Sequence, residues 1–121
     1  MATATQIRET AAENLGILGE GETLPSYETA DLDQAYTEVY KELQGLNLTT
    51  WAETANVPDQ YARSVAMLVA EARAVKYQIP DNRYQRILLE GSGPNGDGKA
   101  MSMIRKLQAV SKMGQTEIEN F

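Results

Sequence analysis

The sequence predicts an all-α fold, a small bundle of four to five helices with a long central helix, an irregular crossing and an extended C-terminal tail. Two observations predict it: apolar residues recur at helical spacing in several segments, and prolines and glycines separate these segments. The 121 residues fit a single hydrophobic core. We therefore divide the chain into a helical domain at residues 1–112 and a tail at residues 113–121.

The central helix is predicted over Pro58 to Tyr77. Proline suits the first turn of a helix, where its missing N–H has no partner to lose, and the following Asp59 suits the positive end of the helix dipole. Residues at helical spacing form one apolar face: Tyr61, Val65, Leu68, Val69, Ala72 and Val75. Twenty residues would span about 30 Å, so we expect the other segments to pack on this helix.

A first helix is predicted over Ala4 to Leu15. Thr3 and Gln6 are spaced for a capping box at its start, and Gly16 is placed to end it. Two apolar side chains of the following loop are expected to be buried, those of Ile17 and Leu18.

A second helix is predicted from about Ala30 to Gln44, with Ser26 or Thr29 as its N-cap and Gly45 as its stop. A stripe at alternating spacings of four and three should dock on the central helix: Leu32, Tyr36, Val39, Leu43 and Leu46.

The chain between these two helices, from Leu46 to Glu53, reads as an irregular crossing anchored by Leu48 and Trp51. A single tryptophan in such a place is more often a buried core residue than a platform on which a ligand stacks, so we expect Trp51 to be buried.

Two more helices are predicted after the central one, over Pro80 to Glu90 and over Lys99 to Lys112. Within the first, Ile87 to Leu89 is alternatively a short strand. The last helix carries an apolar face of Ala100, Met103, Ile104, Leu107 and Val110.

The glycine-rich segment between them, Gly93 to Lys99, matches the spacing of a phosphate-binding loop. Ala100 follows the lysine, however, where such a loop needs a hydroxyl to ligate magnesium, and the rest of the chain offers no acidic strand end. We interpret the segment as a flexible hinge before the last helix.

Charge is distributed unevenly along the chain. Residues 1–57 contain two basic and ten acidic residues, whereas residues 58–121 contain nine basic and seven acidic ones. The pattern fits solubility, or an acidic and a mildly basic face that meet unlike partners. A generic nucleic-acid binder would need a more basic domain.

The amino-acid composition excludes several kinds of metal site and catalytic group. The chain has neither cysteine nor histidine, which removes thiolate metal sites and the commonest general base. Neighbouring carboxylates lack the apolar surroundings that raise a carboxyl pKa, so we interpret them as surface charge. We expect no enzymatic activity, cofactor or metal. The polar first fifteen residues do not resemble a signal peptide, which predicts a product made in the cytosol.

Candidate partner-interface residues lie in the last helix and the tail: Met101, Met103, Arg105, Lys106, Lys112, Met113, Ile118 and Phe121. Methionines suit an adaptable contact surface. The basic cluster is either a solvated face or a contact to an acidic partner or a nucleic-acid backbone. The tail is too short to fold alone and is expected to gain order on a partner.

The run from Ile7 to Thr23, with its Leu-Gly turn, followed by Ser26-x-Glu28-x-Ala30-Asp31-Leu32, is similar to the opening of head-to-tail adaptor (head completion) proteins of tailed bacteriophages. The crossing from Leu43 to Trp51 resembles that family too. So do two later features, the Val57-Pro58-Asp59 start of an alanine-rich helix and the Tyr77-x-x-Pro80 turn. The resemblance covers about Thr5 to Leu89 and consists of the residues at which helices start, end and turn.

The resemblance implies a helical subunit of the virion neck, made in the host cytoplasm and not bound to membranes. Copies of such proteins form a ring, usually a dodecamer, between the portal protein and a tail tube or nozzle protein. The ring extends the channel through which DNA passes without specific binding, helps to retain packaged DNA and supports the tail. C-terminal segments commonly reach the portal or a neighbouring subunit. No catalytic residue is implied.

Two rival hypotheses belong to other classes. A helix–turn–helix read over Trp51 to Ala74 would make the chain a small DNA-binding regulator, which the acidic balance disfavours. An enzyme would depend on the glycine-rich segment alone.

Overall fold

The computed structural model describes residues 3–18, 25–93 and 98–119, with side chains up to residue 110. Five helices lie within these residues: α1 (Ala4–Leu15), α2 (Ser26–Gly45), α3 (Asp59–Arg73), α4 (Asp81–Glu90) and α5 (Lys99–Glu119). None of the described residues forms a strand. The predicted small all-α bundle is therefore confirmed.

The central helix α3 contacts each of the other four helices. Four residues of its predicted apolar face are buried: Tyr61, Val65, Leu68 and Val69. The helix is shorter than predicted, because it ends at Arg73 and residues 74–78 form a turn that closes with Gln78 at a φ of 53°. The turn leaves Val75 74 % exposed, and Ala72 is exposed as well, so the predicted face was wrong at its C-terminal end.

α1 begins and ends as predicted. Thr3 Oγ1 accepts a hydrogen bond from the Gln6 N–H at 3.2 Å, and the Thr3 N–H donates to Gln6 Oε1 at 2.9 Å, which completes the capping box. Gly16 ends the helix in the left-handed conformation, with a φ of 78°. Leu18 is buried and Ile17 is half-buried.

α2 starts earlier than predicted, at Ser26 directly after Pro25. Proline takes the N-cap position, and no side chain caps the helix, so neither predicted N-cap residue acts as one. A proline before the first turn has no N–H that the helix would leave unpaired.

α2 also ends differently. Gly45 is its last residue, and the left-handed conformation falls on Asn47, with a φ of 59°. The Leu48 N–H then donates to the Leu43 carbonyl at 2.8 Å. Of the predicted stripe, Leu32, Val39 and Leu43 are buried and Tyr36 is half-buried. Leu46 is 54 % exposed, contrary to the prediction.

Trp51 holds the irregular crossing in the core, as predicted. Its ring centroid lies 5.0 Å from that of Tyr61 and 6.2 Å from that of Tyr40, the latter edge-on. The indole Nε1–H donates to the Tyr36 hydroxyl at 3.1 Å, and the Tyr40 hydroxyl donates to the Trp51 carbonyl at 2.8 Å. The crossing is thus fixed to α2 and α3 by apolar and polar contacts together.

An ion cluster joins α2 to the turn after α3. Asp31 Oδ1 lies 2.7 Å from Lys76 Nζ and 3.3 Å from Arg73 Nε, and its Oδ2 accepts from the Tyr77 hydroxyl at 2.8 Å. Burial of Asp31 favours the neutral carboxyl, but the hydrogen bonds and positive charges outweigh it and hold its pKa below the ordinary value. Burial and the same hydrogen bond raise the pKa of Tyr77.

The residues on either side of the glycine-rich segment are joined by hydrogen bonds. Glu71 of α3 accepts hydrogen bonds from the Ser92 N–H at 3.0 Å and from the Ser92 hydroxyl at 2.6 Å. The Gly98 N–H donates to the Ser92 carbonyl at 2.8 Å, and a Cβ at Gly98 would lie 2.2 Å from the Gly91 carbonyl oxygen. The two described ends of the segment are therefore hydrogen-bonded to each other, while residues 94–97 of the predicted hinge lie outside the described residues.

The residues before that segment are helical, because α4 includes Ile87 to Leu89. The alternative of a strand there is wrong, and the strand–loop–helix setting of a phosphate-binding loop is not met.

α5 continues through Glu119, beyond its predicted end at Lys112. The backbone of residues 113–119 is thus helical rather than an extended tail, while Phe121 lies outside the described residues. Within the described part of the chain, no helix is both long and apolar enough for a membrane crossing.

Candidate interaction surface

The face that α5 turns to the core differs from the predicted one. Ala100, Met101 and Ile104 are buried and Leu107 is half-buried. Met103 is 44 % exposed and Val110 is 69 % exposed. Of the two methionines predicted to contact a partner, Met101 therefore belongs to the core, and Met103 is available on the surface.

The exposed side of α5 carries a stripe of alternating basic and apolar residues. We call it the α5 stripe; its members are Lys99, Met103, Lys106 and Val110. Their spacing of four, three and four places them along one line of the helix. Arg105 lies beside the stripe and is exposed too. Lys112, Met113 and Ile118 belong to α5, but their side chains lie outside the described part.

Grooves lie on two sides of α5. Met103 lines a groove of about 330 Å³, together with Arg63 and Met67 of α3. Met101 lines another, of about 480 Å³, between α5 and α2. Met101 and Met103 are two residues apart, which places them about 200° apart around the axis of α5. The α5 stripe and the groove beside Met101 therefore face in opposite directions.

The groove between α2 and α5, which we call the acidic groove, has an apolar floor and a charged rim. α2 and α5 both pack on α3, and their backbones do not approach each other closely among the described residues, so a groove opens over α3 between them. The floor includes Val39, Leu43, Leu68 and Met101. The charged residues at the groove are Glu38, Glu42, Glu71 and Arg73, and Leu46 extends the apolar surface at its edge.

The carboxylates of the acidic groove are not equally available. Glu38 Oε2 lies 2.5 Å from Arg73 Nη2, and Glu71 is engaged by Ser92. No described residue forms an ion pair with Glu42, which is exposed. Leu46, the residue after α2, follows Glu42 by one helical turn, so the groove presents an exposed leucine beside a carboxylate that no described residue pairs with.

A third groove, of about 730 Å³, lies between α1, α3 and α4 and is lined by Arg63, Arg83 and Arg86. We call it the arginine groove. No described residue pairs with these three guanidinium groups. Glu13 and Glu90 line the same groove and reduce its positive charge. These arginines were not predicted as an interface from the sequence, although the three of them occur within two neighbouring helices.

The described residues contain no group of acidic side chains suited to a metal ion. No family model, curated protein or solved structure shows a significant match to this chain. The geometry of the bundle therefore has to indicate function by itself, and it presents surfaces of opposite charge on opposite sides of one helix.

Proposed function

We propose that this chain is a structural ring subunit of a tailed-phage neck, placed between the portal protein and a tail tube or nozzle protein. The observation that carries the proposal is the pair of unlike faces on the two sides of α5. Subunits that meet through unlike faces make heterologous contacts, which close into rings when the rotation between copies allows it. A dodecamer is the ring size that the sequence resemblance implies.

The order of helical parts supports the same proposal. The resemblance implied a helix that ends in a Leu-Gly turn, a second acidic helix, a tryptophan-containing crossing and a central helix. In this chain α1 ends at Gly16, α2 leads into the crossing around Trp51, and α3 contacts all other helices.

The charge of the chain suits a channel through which DNA passes. The net charge is −6, and the helix α2 contains five acidic residues but a single lysine. Strong attachment to phosphates requires clusters of lysine and arginine that release counterions. A ring of these acidic subunits would therefore let DNA pass without binding it tightly.

Co-sedimentation with portal-bearing capsids tests the proposal. The purified chain is mixed with such capsids and with otherwise identical capsids that lack the portal. We expect it to sediment only with the first, and to appear in electron-microscopy averages as a ring beneath the portal vertex. Equal recovery with both capsids, or no recovery with either, would contradict a neck function.

One observation favours the alternative of a DNA-binding regulator, namely the arginine groove. Against it, α3 is the helix that a helix–turn–helix would place in the major groove, and it is covered by four other helices. We therefore keep the regulator as the second candidate.

A further inference from the structure

We infer that the acidic groove of one copy receives the α5 stripe of a second copy of this chain. This inference rests on the proposed function, because it names the surfaces through which neighbouring ring subunits meet. The residues of the stripe are exposed in the single subunit, as are Glu42 and Leu46 at the groove.

The two surfaces are complementary in charge. The stripe presents Lys99 and Lys106, with Arg105 beside them, and no described residue pairs with them. The groove presents Glu38 at its rim and Glu42, for which the described part of the chain offers no ion-pair partner. Pairs of this kind steer association and fix the register of two surfaces, more than they add affinity.

The two surfaces are also complementary in polarity. Between its lysines the stripe carries Met103 and Val110, which are 44 % and 69 % exposed. The groove offers the exposed Leu46 and an apolar floor. Apolar side chains gain free energy when they leave water, and methionine adapts its shape to an irregular surface. An amphipathic helix in such a groove is a recurring mode of recognition.

The dimensions agree. From Lys99 to Val110 the stripe rises about 16 Å, and from Glu38 to Leu46 the groove follows α2 for about 12 Å. Three anchors of the stripe, from Met103 to Val110, span about 10 Å and thus fit within the length of the groove.

The stripe cannot occupy the groove of its own copy. Met101 of α5 already forms part of the groove wall, and the stripe lies about 200° away on the same helix. The contact is therefore intermolecular, and each copy offers one stripe and one groove. Repetition of this arrangement yields a ring or a filament, whichever the rotation between copies permits.

Disulfide trapping tests the contact directly, because the chain contains no cysteine. The double variant Glu42→Cys/Lys106→Cys is oxidised at high concentration, alone and with portal-bearing capsids. We expect a ladder of covalent oligomers on a denaturing gel. The control Lys41→Cys/Lys106→Cys moves one cysteine to the adjacent exposed position, about 100° around α2 and outside the groove, and should give much less product.

Charge exchange gives a second readout that does not depend on cysteine chemistry. Glu42→Lys should raise the dissociation constant for self-association about tenfold, because it replaces an attraction with a repulsion. The addition of Lys106→Glu should restore it, as measured by analytical ultracentrifugation. Both positions are exposed, so unchanged helical circular dichroism serves as the folding control.

The outcomes separate this inference from the proposed function. No ladder with or without capsids, or an equal ladder from the control pair, overturns the contact between stripe and groove. If the chain nevertheless sediments with portal-bearing capsids, the neck function stands and the ring uses a different interface. A ladder without such sedimentation would support the contact and contradict the neck.

Discussion

The Tyr77 hydroxyl donates a 2.8 Å hydrogen bond to Asp31 Oδ2 across 46 positions of the chain. Lys76 Nζ reaches the other carboxylate oxygen at 2.7 Å. Both donors come from the turn that follows α3, so the turn is held against α2 by one buried carboxylate. We conclude that this cluster, together with the left-handed Gln78, sets the early end of α3.

Replacement of Asp31 by asparagine is expected to lower the free energy of unfolding by about 2 kcal/mol, because hydrogen bonds to a charged group are lost inside the fold. Asp31 is 8 % exposed, so water does not replace its partners well. Urea denaturation followed by circular dichroism measures the change. The control is Asp33→Asn, which breaks the ion pair with Arg8 at a half-exposed site and should cost about 0–1 kcal/mol. Equal losses from both variants would contradict a special role for Asp31.

The same carboxylate predicts how stability depends on pH. The pKa of Asp31 is lowered in the folded chain, whereas the unfolded chain keeps the ordinary value near 3.8. Its contribution is complete above pH 3.8 and decreases as the pH falls below that value, since the unfolded state then binds more protons. Denaturation between pH 2 and pH 6 should show a weaker acid dependence in Asp31→Asn than in the parent chain. Identical pH profiles would argue against the lowered pKa.

Local signals in the sequence predicted helix termini well where the cap uses its own side chains. The capping box of Thr3 and Gln6 and the left-handed Gly16 are decided within a few residues. The end of α3 was not predictable in this way, because the turn is held by Asp31, which is distant in sequence. The helical spacing of Val75 fits the apolar face and so predicted it to be buried, but the turn leaves it exposed.

The candidate surface shows the same limit. The helical spacing put Met103 and not Met101 on the apolar face, whereas the packing of α5 on α3 and α4 buries Met101 and leaves Met103 exposed. The acidic groove was likewise not predictable, since it forms where α2 and α5 pack beside each other on α3. The basic character of Arg105 and Lys106 was predictable, and both are exposed.

Removal of the tryptophan should be among the most destabilising single changes in the chain. Trp51→Ala is expected to cost about 3–5 kcal/mol, because it empties a site packed by Tyr40 and Tyr61. Trp51→Phe should cost less, since it keeps a ring but loses the donor to the Tyr36 hydroxyl. Circular dichroism during urea denaturation is the measurement. The control Leu89→Ala, at a site that is 61 % exposed, should stay within about 0.5 kcal/mol of the parent.

Two glycines with different surroundings provide a matched test of the helix ends. Gly16→Ala should destabilise the chain by about 1–2 kcal/mol, because Gly16 has a φ of 78° that disfavours a side chain. Its new Cβ would also lie 2.4 Å from Arg83 Nη1, so that side chain would have to move. Gly45→Ala meets nothing within 4 Å and should stabilise the chain by roughly 0.5 kcal/mol. Melting temperatures that shift in the same direction for both variants would contradict this account.

The arginine groove decides between the two candidate functions. A neck subunit that lets DNA pass should give no gel shift with duplex DNA at physiological salt. At low salt a weak shift is expected, with a slope of log K against log salt no steeper than about −2.7, since at most three guanidinium groups would contact phosphates. Arg83→Ala/Arg86→Ala should abolish that shift. Arg105→Ala/Lys106→Ala removes the same charge from α5 and should retain it. A shift that persists at physiological salt and depends on the DNA sequence would instead favour the regulator, because contacts to phosphates alone do not select a sequence.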